Sequence, residues 1–297
     1  MNVIVRTTGL TKRYRDVTAL DEVEVELQEN TIHGLLGRNG AGKTTLMQVL
    51  TGQAFETAGR VEVFGEHPYE NARVLGRTCF VKESQRYPDN FKVRHALRAA
   101  AIVYPQWDQA LADELVADFD LPTGRRIKKL SRGMLSAVGV IIGLASRAPL
   151  TFFDEPYLGL DAVARQLFYD RLLADYTEHP RTIVLSTHLI DEVSDLIEHV
   201  VLIDGGRVLL DADADELRSS AVTVSGPAAA VERFVAGRHE LHRDAMGGLL
   251  RVTMADGPVR PVEGLRFEPV SLQDLVVRTT QTNGRALAEA VTQGGAR

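Results

Sequence analysis

The chain reads as an α/β protein: a phosphate-loop core joined to an antiparallel β subdomain, interrupted by a helical insert and followed by a small C-terminal α+β extension. Three observations carry this. Residues 37–44 read GRNGAGKT, a GxxxxGKS/T phosphate-binding loop, directly after the apolar run Ile32–Leu36 that suits a buried strand. Over residues 80–147 the apolar positions take helical spacing, with Val93, Leu97, Ala100, Ala101 and Tyr104 on one face and Leu111, Leu115 and Phe119 on another. Strand-like runs return at 150–153 after Pro149 and at 182–185 after Pro180, each passing into a polar loop and then a helical pattern.

Taken in order, Val23, Val25 and Leu27 alternate with Glu22, Glu24 and Glu26, a period of two with one wet face, and Val61 and Val63 repeat it. In the loop, Gly37, Gly40 and Gly42 allow the backbone N–H groups, including those of Arg38, Asn39 and Ala41, to turn inward around an anion. A helix starting near Gly42 and running through Thr45 points its positive end at the same spot. Lys43 reaches the β- and γ-phosphates of a nucleotide, and the Thr44 hydroxyl helps hold Mg²⁺ between them. Runs at 200–203 and 207–210 flank Asp204, Gly205 and Gly206 as a hairpin, and the nucleotide core, residues 1–217, closes near Leu217. Residues 218–297 carry Gly and Pro clusters broken by short alternating runs such as Leu249, Val252 and Met254; the tail after Gln281 is expected to be loose.

The 297 residues, 44% hydrophobic, suffice for a substantial core, and a net charge of −6 argues against a broad cationic surface, so no nucleic-acid partner is expected. Arg125, Arg126, Lys128 and Lys129 read as a solvated loop. Cys79 is the only cysteine, which excludes an internal disulfide and suits a reducing compartment. The N-terminal MNVIVRTTGL lacks a cationic leader followed by a long apolar stretch, and no segment approaches the ~20 apolar residues of a membrane helix. A soluble chain is expected. His239 and His242 share helical spacing, but no Cys or acid pattern supports a metal there.

The strand at 150–153 runs straight into Asp154 and Glu155. Two adjacent acids after an apolar run have an electrostatic use beside a metal: Asp154 suits Mg²⁺ through its water shell, and Glu155 suits orienting or deprotonating an attacking water. Between the two motifs lies KKLSRGM, in which Leu130, Ser131, Arg132, Gly133 and Met134 open an apolar helical stretch, with Ser131 a good N-cap.

With these residues in place, the sequence resembles the ATP-binding cassette (ABC) family, whose signature loop reads LSGGQ. Further matches follow in the family's order: Gly159, Leu160 and Asp161 resemble the D-loop, and Ser186, Thr187 and His188 end a strand as the family's switch histidine does. The resemblance implies a RecA-like P-loop core, ATP and Mg²⁺ as cofactors, Tyr14 under the adenine, and hydrolysis by Glu155 aided by His188. It also implies a head-to-tail homodimer in which Ser131 and Gly133 face the γ-phosphate held by a second copy. Two positions depart from the pattern. Glu83 stands by register where the family has Gln, with Gln85 matching only by type; a carboxylate there can still reach Mg²⁺ but repels the γ-phosphate. Arg132 replaces a signature glycine, at a helix start that tolerates a side chain.

The single cassette, the LSRGM signature and the C-terminal EPVSLQDLVVRTTQ look like ATP-binding subunits of bacterial multidrug or antibiotic-type exporters. Such subunits are cytoplasmic and sit on the inner face of the cell membrane through a separate integral membrane permease. The alternative is a soluble ABC ATPase acting in translation or DNA repair; those carry paired cassettes with a charged linker or a long coiled coil, and this sequence shows neither.

Overall fold

The computed structural model describes residues 2–281 apart from 84, 256 and 258, so the expectation for the tail beyond Gln281 lies outside the described residues. Strands β1 (Val3–Tyr14) and β2 (Val17–Gln28) form an antiparallel ribbon, with Val23, Val25 and Leu27 buried and the intervening acids wet. After β3 (Ile32–Leu36) and helix α1 (Lys43–Leu50), β4 (Ala58–Val63) pairs with the free edge of β1 to give the order β2-β1-β4. This is the antiparallel subdomain.

A short α2 (Ala72–Leu75), capped by the Asn71 side chain, leads to β5 (Thr78–Val81). The insert helices follow: α3 (Val93–Val103), α4 (Gln109–Asp118) with its Asp108 cap, and α5 (Arg132–Ala145). Helical character therefore begins at Val93 rather than near residue 80, because Phe80 and Val81 pair with Phe152 and Phe153. A four-residue apolar run has no periodicity of its own, and a neighbouring strand decides it. The core resumes with β6 (Leu150–Asp154), α6 (Ala162–Glu178), β7 (Thr182–Thr187), α7 (Ile190–Val193), the hairpin β8 (His199–Asp204) and β9 (Arg207–Asp213), and α8 (Ala214–Ser219).

The central sheet has the order β5-β6-β7-β3-β8-β9, parallel except for β9. Every residue of β3, β6 and β7 is buried, as expected for parallel strands covered on both faces. Alternation sends neighbouring aromatics to opposite sides. Phe153 joins the core under the insert helices, while Phe152 joins the core shared with α1 and the antiparallel sheet. Each fully buried ring stabilises by roughly 1.5–3 kcal/mol, so β6 fastens both layers.

Registers Leu36↔Thr187 and Asp154↔Ser186 bring the C-terminal ends of β3, β6 and β7 to one level. The crevice beyond such strand ends is where open α/β sheets bind ligands. The C-terminal part forms a second antiparallel sheet, β11-β12-β10-β13, from β10 (Val222–Pro227), β11 (Glu240–Met246), β12 (Leu249–Met254) and β13 (Arg266–Pro269), with α9 (Ala228–Val235) on a small core of its own. Helix α10 (Leu272–Gln281) returns to the first core, burying Leu272, Leu275 and Val276. Among the described residues no helix is long and apolar enough to cross a membrane.

Candidate nucleotide-binding site

A cleft of about 580 Å³ opens beyond the strand ends, lined by Arg38, Asn39, Gly40, Ala41, Gly42, Lys43, Thr44, Thr45, Glu83, Asp154, Glu155 and His188. Gly42 caps α1 at φ 114°, and a Cβ there would lie 2.7 Å from the Ala19 carbonyl oxygen, so glycine is required. No side chain caps this helix, which leaves the N–H groups of its first turn for an anion. Lys43 Nζ donates to the carbonyls of Gly37 (2.7 Å) and Arg38 (3.4 Å) and lies 3.8 Å from Glu155 Oε1. Burial lowers the Lys43 pKa from its ordinary value, and the carboxylates of Glu155 and Asp154 oppose that.

Thr44 Oγ1 donates to Asp154 Oδ2 at 2.8 Å, spanning the two motifs. Burial pushes the Asp154 carboxyl upward against the Thr44 hydroxyl and the Lys43 ammonium, while Glu83 adds to the rise. Asp154 Oδ1 is buried without a hydrogen-bond partner among the described residues. An orphaned carboxylate oxygen beside a threonine hydroxyl is a fitting donor set for a hard cation. Among the described residues no group of three or more His, Cys, Asp or Glu is placed to hold a metal ion by itself, so a cation here would draw its remaining ligands from phosphate and water.

At the end of β6 the chain turns sharply, with Glu155 at φ 49°. Its Oε2 meets His188 Nδ1 at 2.9 Å and also accepts from the hydroxyl of Tyr157, a buried residue that no sequence motif singled out. Sequence reasoning also missed Val17, Thr18, Ala19, Leu158, Gly205 and Gly206 in the cleft wall. The hairpin turn is pinned there by Gly206 N–H to the Ala41 carbonyl at 2.9 Å, a contact no local pattern encodes.

Tyr14 does not line the cleft. Its ring lies 4.8 Å from Lys12 Nζ, and the wall position goes to its cross-strand partner Val17. Gly37 contributes its carbonyl to Lys43 rather than a wall. Ser131, Gly133 and Asp161 also lie outside their own chain's cleft. Ser131 caps α5 by accepting from Met134 N–H at 3.2 Å, and Asp161 caps α6 by accepting from Ala164 N–H at 2.8 Å. A Cβ on Gly133 would sit 2.5 Å from the Gly159 carbonyl oxygen, so the start of α5 and the loop before α6 touch backbone to backbone. The two departures noted in the sequence are partners: Arg132 donates to Glu83 Oε1 at 3.1 Å.

Residues 20–158 match the sequence pattern of the ABC transporter family. A bacitracin transport ATP-binding protein of Bacillus licheniformis is 31% identical over 221 residues, covering 73% of this chain and 72% of that protein. The chain belongs to the ABC transporter family. A daunorubicin resistance ATP-binding protein of Streptomyces coeruleorubidus is 33% identical over 223 residues, covering 71% of this chain and 68% of that one. Solved ABC structures share the fold: an ATP-binding subunit of an ABC transporter superposes with TM-score 0.65 at 23% identity, over 72% of this chain and 92% of that chain. A dimeric ATP-binding cassette in a post-hydrolysis state, bound to ADP and Pi, gives 0.63 at 19%, over 71% of this chain and 98% of its own. As an ABC ATP-binding subunit, this protein is an ATPase, and the strand-end cleft is where its family's phosphate loop lies.

Proposed function

We propose that two copies of this chain close head to tail around ATP and Mg²⁺, and that hydrolysis drives a separate integral membrane permease that exports an antibiotic-type cargo. One observation carries the pairing: Ser131 and Gly133, at the start of α5, lie outside the cleft of their own chain, so that helix end is offered to another copy. The drug-related names of the two relatives support the cargo class, and the protein would then work at the cytoplasmic face of the cell membrane.

In this reading Lys43 exchanges its two loop carbonyls for β- and γ-phosphate oxygens. Thr44, Asp154 and Glu83 would hold Mg²⁺, which would supply charge neutralisation at the phosphates. Glu155 accepts the proton of the attacking water. His188 gives its Nδ1–H to Glu155, which leaves Nε2 for the nucleotide; donation from Nε2 to a phosphate oxygen requires the doubly protonated ring. Loss of the γ-phosphate removes the ligand bridging two copies and lets them part.

The test is Glu155→Gln followed by sedimentation. Saturating ATP should convert this variant to a stable dimer while ADP leaves it monomeric. A monomer under ATP, or turnover at the wild-type rate, overturns the proposal. Recovery of ribosomes or DNA instead of a polytopic membrane protein from detergent extracts would overturn the transport step.

A further inference from the structure

We propose that Tyr157 is a positioning residue for hydrolysis: its hydroxyl binds Glu155 and His188 into one unit and leaves Glu155 Oε1, not Oε2, to take the proton of the attacking water. This rests on the ATPase reading of the site and not on the dimer.

Glu155 and Leu158 close a four-residue turn through a Leu158 N–H to Glu155 carbonyl bond of 3.1 Å, with Pro156 in the position that favours a preset φ. That turn folds Tyr157 back under the catalytic carboxylate. The side chain is buried at 3% exposure, and its ring lies tilted against His188, centroids 5.8 Å apart. Its hydroxyl is fully subscribed. A phenol has one proton to give and two lone pairs. The proton goes to Glu155 Oε2, which as a carboxylate oxygen can only accept. The lone pairs accept from Thr187 Oγ1 at 2.9 Å and from the backbone N–H of His188 at 3.2 Å. His188 Nδ1 sits 3.0 Å from the same hydroxyl, whose lone pairs are already taken, and 2.9 Å from Oε2, so its N–H goes to Oε2. Burial pushes the Tyr157 phenol well above its usual range, which keeps the donated proton on oxygen.

The two carboxylate oxygens of Glu155 are thereby unequal. Oε2 receives both Tyr157 and His188, whereas Oε1 is buried without a hydrogen-bond partner among the described residues and stands 3.8 Å from Lys43 Nζ. Oε1 is the oxygen with free lone pairs, on the side of the phosphate-loop lysine. The water oxygen bonds to the γ-phosphorus as the bond to the β,γ-bridging oxygen breaks, ADP leaves with that oxygen, and the water proton passes to Oε1. Without the Tyr157 hydroxyl the carboxylate can rotate and offer either oxygen, at a cost in alignment rather than in binding.

Tyr157→Phe keeps the ring and deletes the hydroxyl. Its kcat for ATP should fall roughly 10- to 100-fold, the scale of a misplaced catalytic group. ADP affinity, measured by calorimetry, should stay within about twofold, because the hydroxyl touches no loop residue. In the Glu155→Gln background the same substitution should change the residual rate less than about twofold, since its effect passes through the carboxylate. Wild-type kcat in Tyr157→Phe, an equal fold-loss in the Glu155→Gln background, or a parallel loss of ADP affinity would each overturn the proposal. Thr187→Val is the second variant, should Tyr157→Phe not fold. It removes one partner of the hydroxyl, and it should lower kcat by a smaller factor that again vanishes in the Glu155→Gln background. Absence of ATP-induced association in Glu155→Gln would end the dimer proposal and leave this cycle intact.

Discussion

Two helix N-termini in this molecule present themselves to anions in opposite ways. At α1 the cap is Gly42, which has no side chain to spend on the helix, and the residues around it line the cleft with Lys43 held among them. At α5 the cap is Ser131, whose hydroxyl satisfies Met134 N–H, and it does not line its own chain's cleft. The first end is complete within one chain. The second has a formed cap and a close backbone contact with Gly159, yet nothing of its own to bind. In the proposed reading, a bare cap with a buried lysine is the primary phosphate site, and a dressed cap at the exposed start of an otherwise buried helix is the complementary surface.

Lys43→Ala strikes the first end and should have the greatest effect, weakening ATP binding by on the order of 100-fold through loss of a charge-assisted contact. Calorimetric affinity within threefold of wild type would dissolve the contrast. Gly133→Ala strikes the second. Overpacking against the Gly159 carbonyl costs about 1–3 kcal/mol, so ATP-driven association in the Glu155→Gln background should weaken about tenfold or more while ADP binding is kept. If ADP affinity falls too, α5 serves its own cleft and the two ends are not distinct. Ser131→Ala removes the cap, worth about 1 kcal/mol of stability, along with the hydroxyl offered to the partner's nucleotide, and should reduce association by less than the Gly133 variant. A thermal melt alongside sedimentation separates the two losses. The smallest effect belongs to the link between the ends, the exposed Arg132–Glu83 pair. A double-mutant cycle with Glu83→Gln and Arg132→Ala should give a coupling below about 1 kcal/mol, whereas Glu83→Gln alone should shift the Mg²⁺ dependence of turnover. An unmoved Mg²⁺ titration would take Glu83 out of the metal site.

Much of the first end was legible because its determinants are contiguous. The strand Ile32–Leu36 and the helix starting at Lys43 fall where the residues 32–45 alone place them. The cap at Ser131 was equally local. What escaped depends on tertiary register. Tyr157 matters only because Asp154 stands opposite Ser186, which carries Thr187 and His188 to its hydroxyl. Arg132 and Glu83 lie 49 residues apart, so each looked like a separate anomaly, and their charges explain one another only across the fold. Phe80 looked helical because a short buried strand carries no alternation. Tyr14 follows the expected strand, but the pairing of Tyr14 with Val17 and the nearby Lys12 decide which of the facing side chains meets the cleft.

The contact between Gly133 and Gly159 has a mechanical meaning. Where two backbones meet with no room for a methyl group, neither can slide without carrying the other. In the proposed pair of copies, the cap of α5 and the Asp161 cap of α6 would therefore travel as one jaw, and a tilt of the insert that withdrew one from a neighbouring molecule would withdraw both in the same stroke.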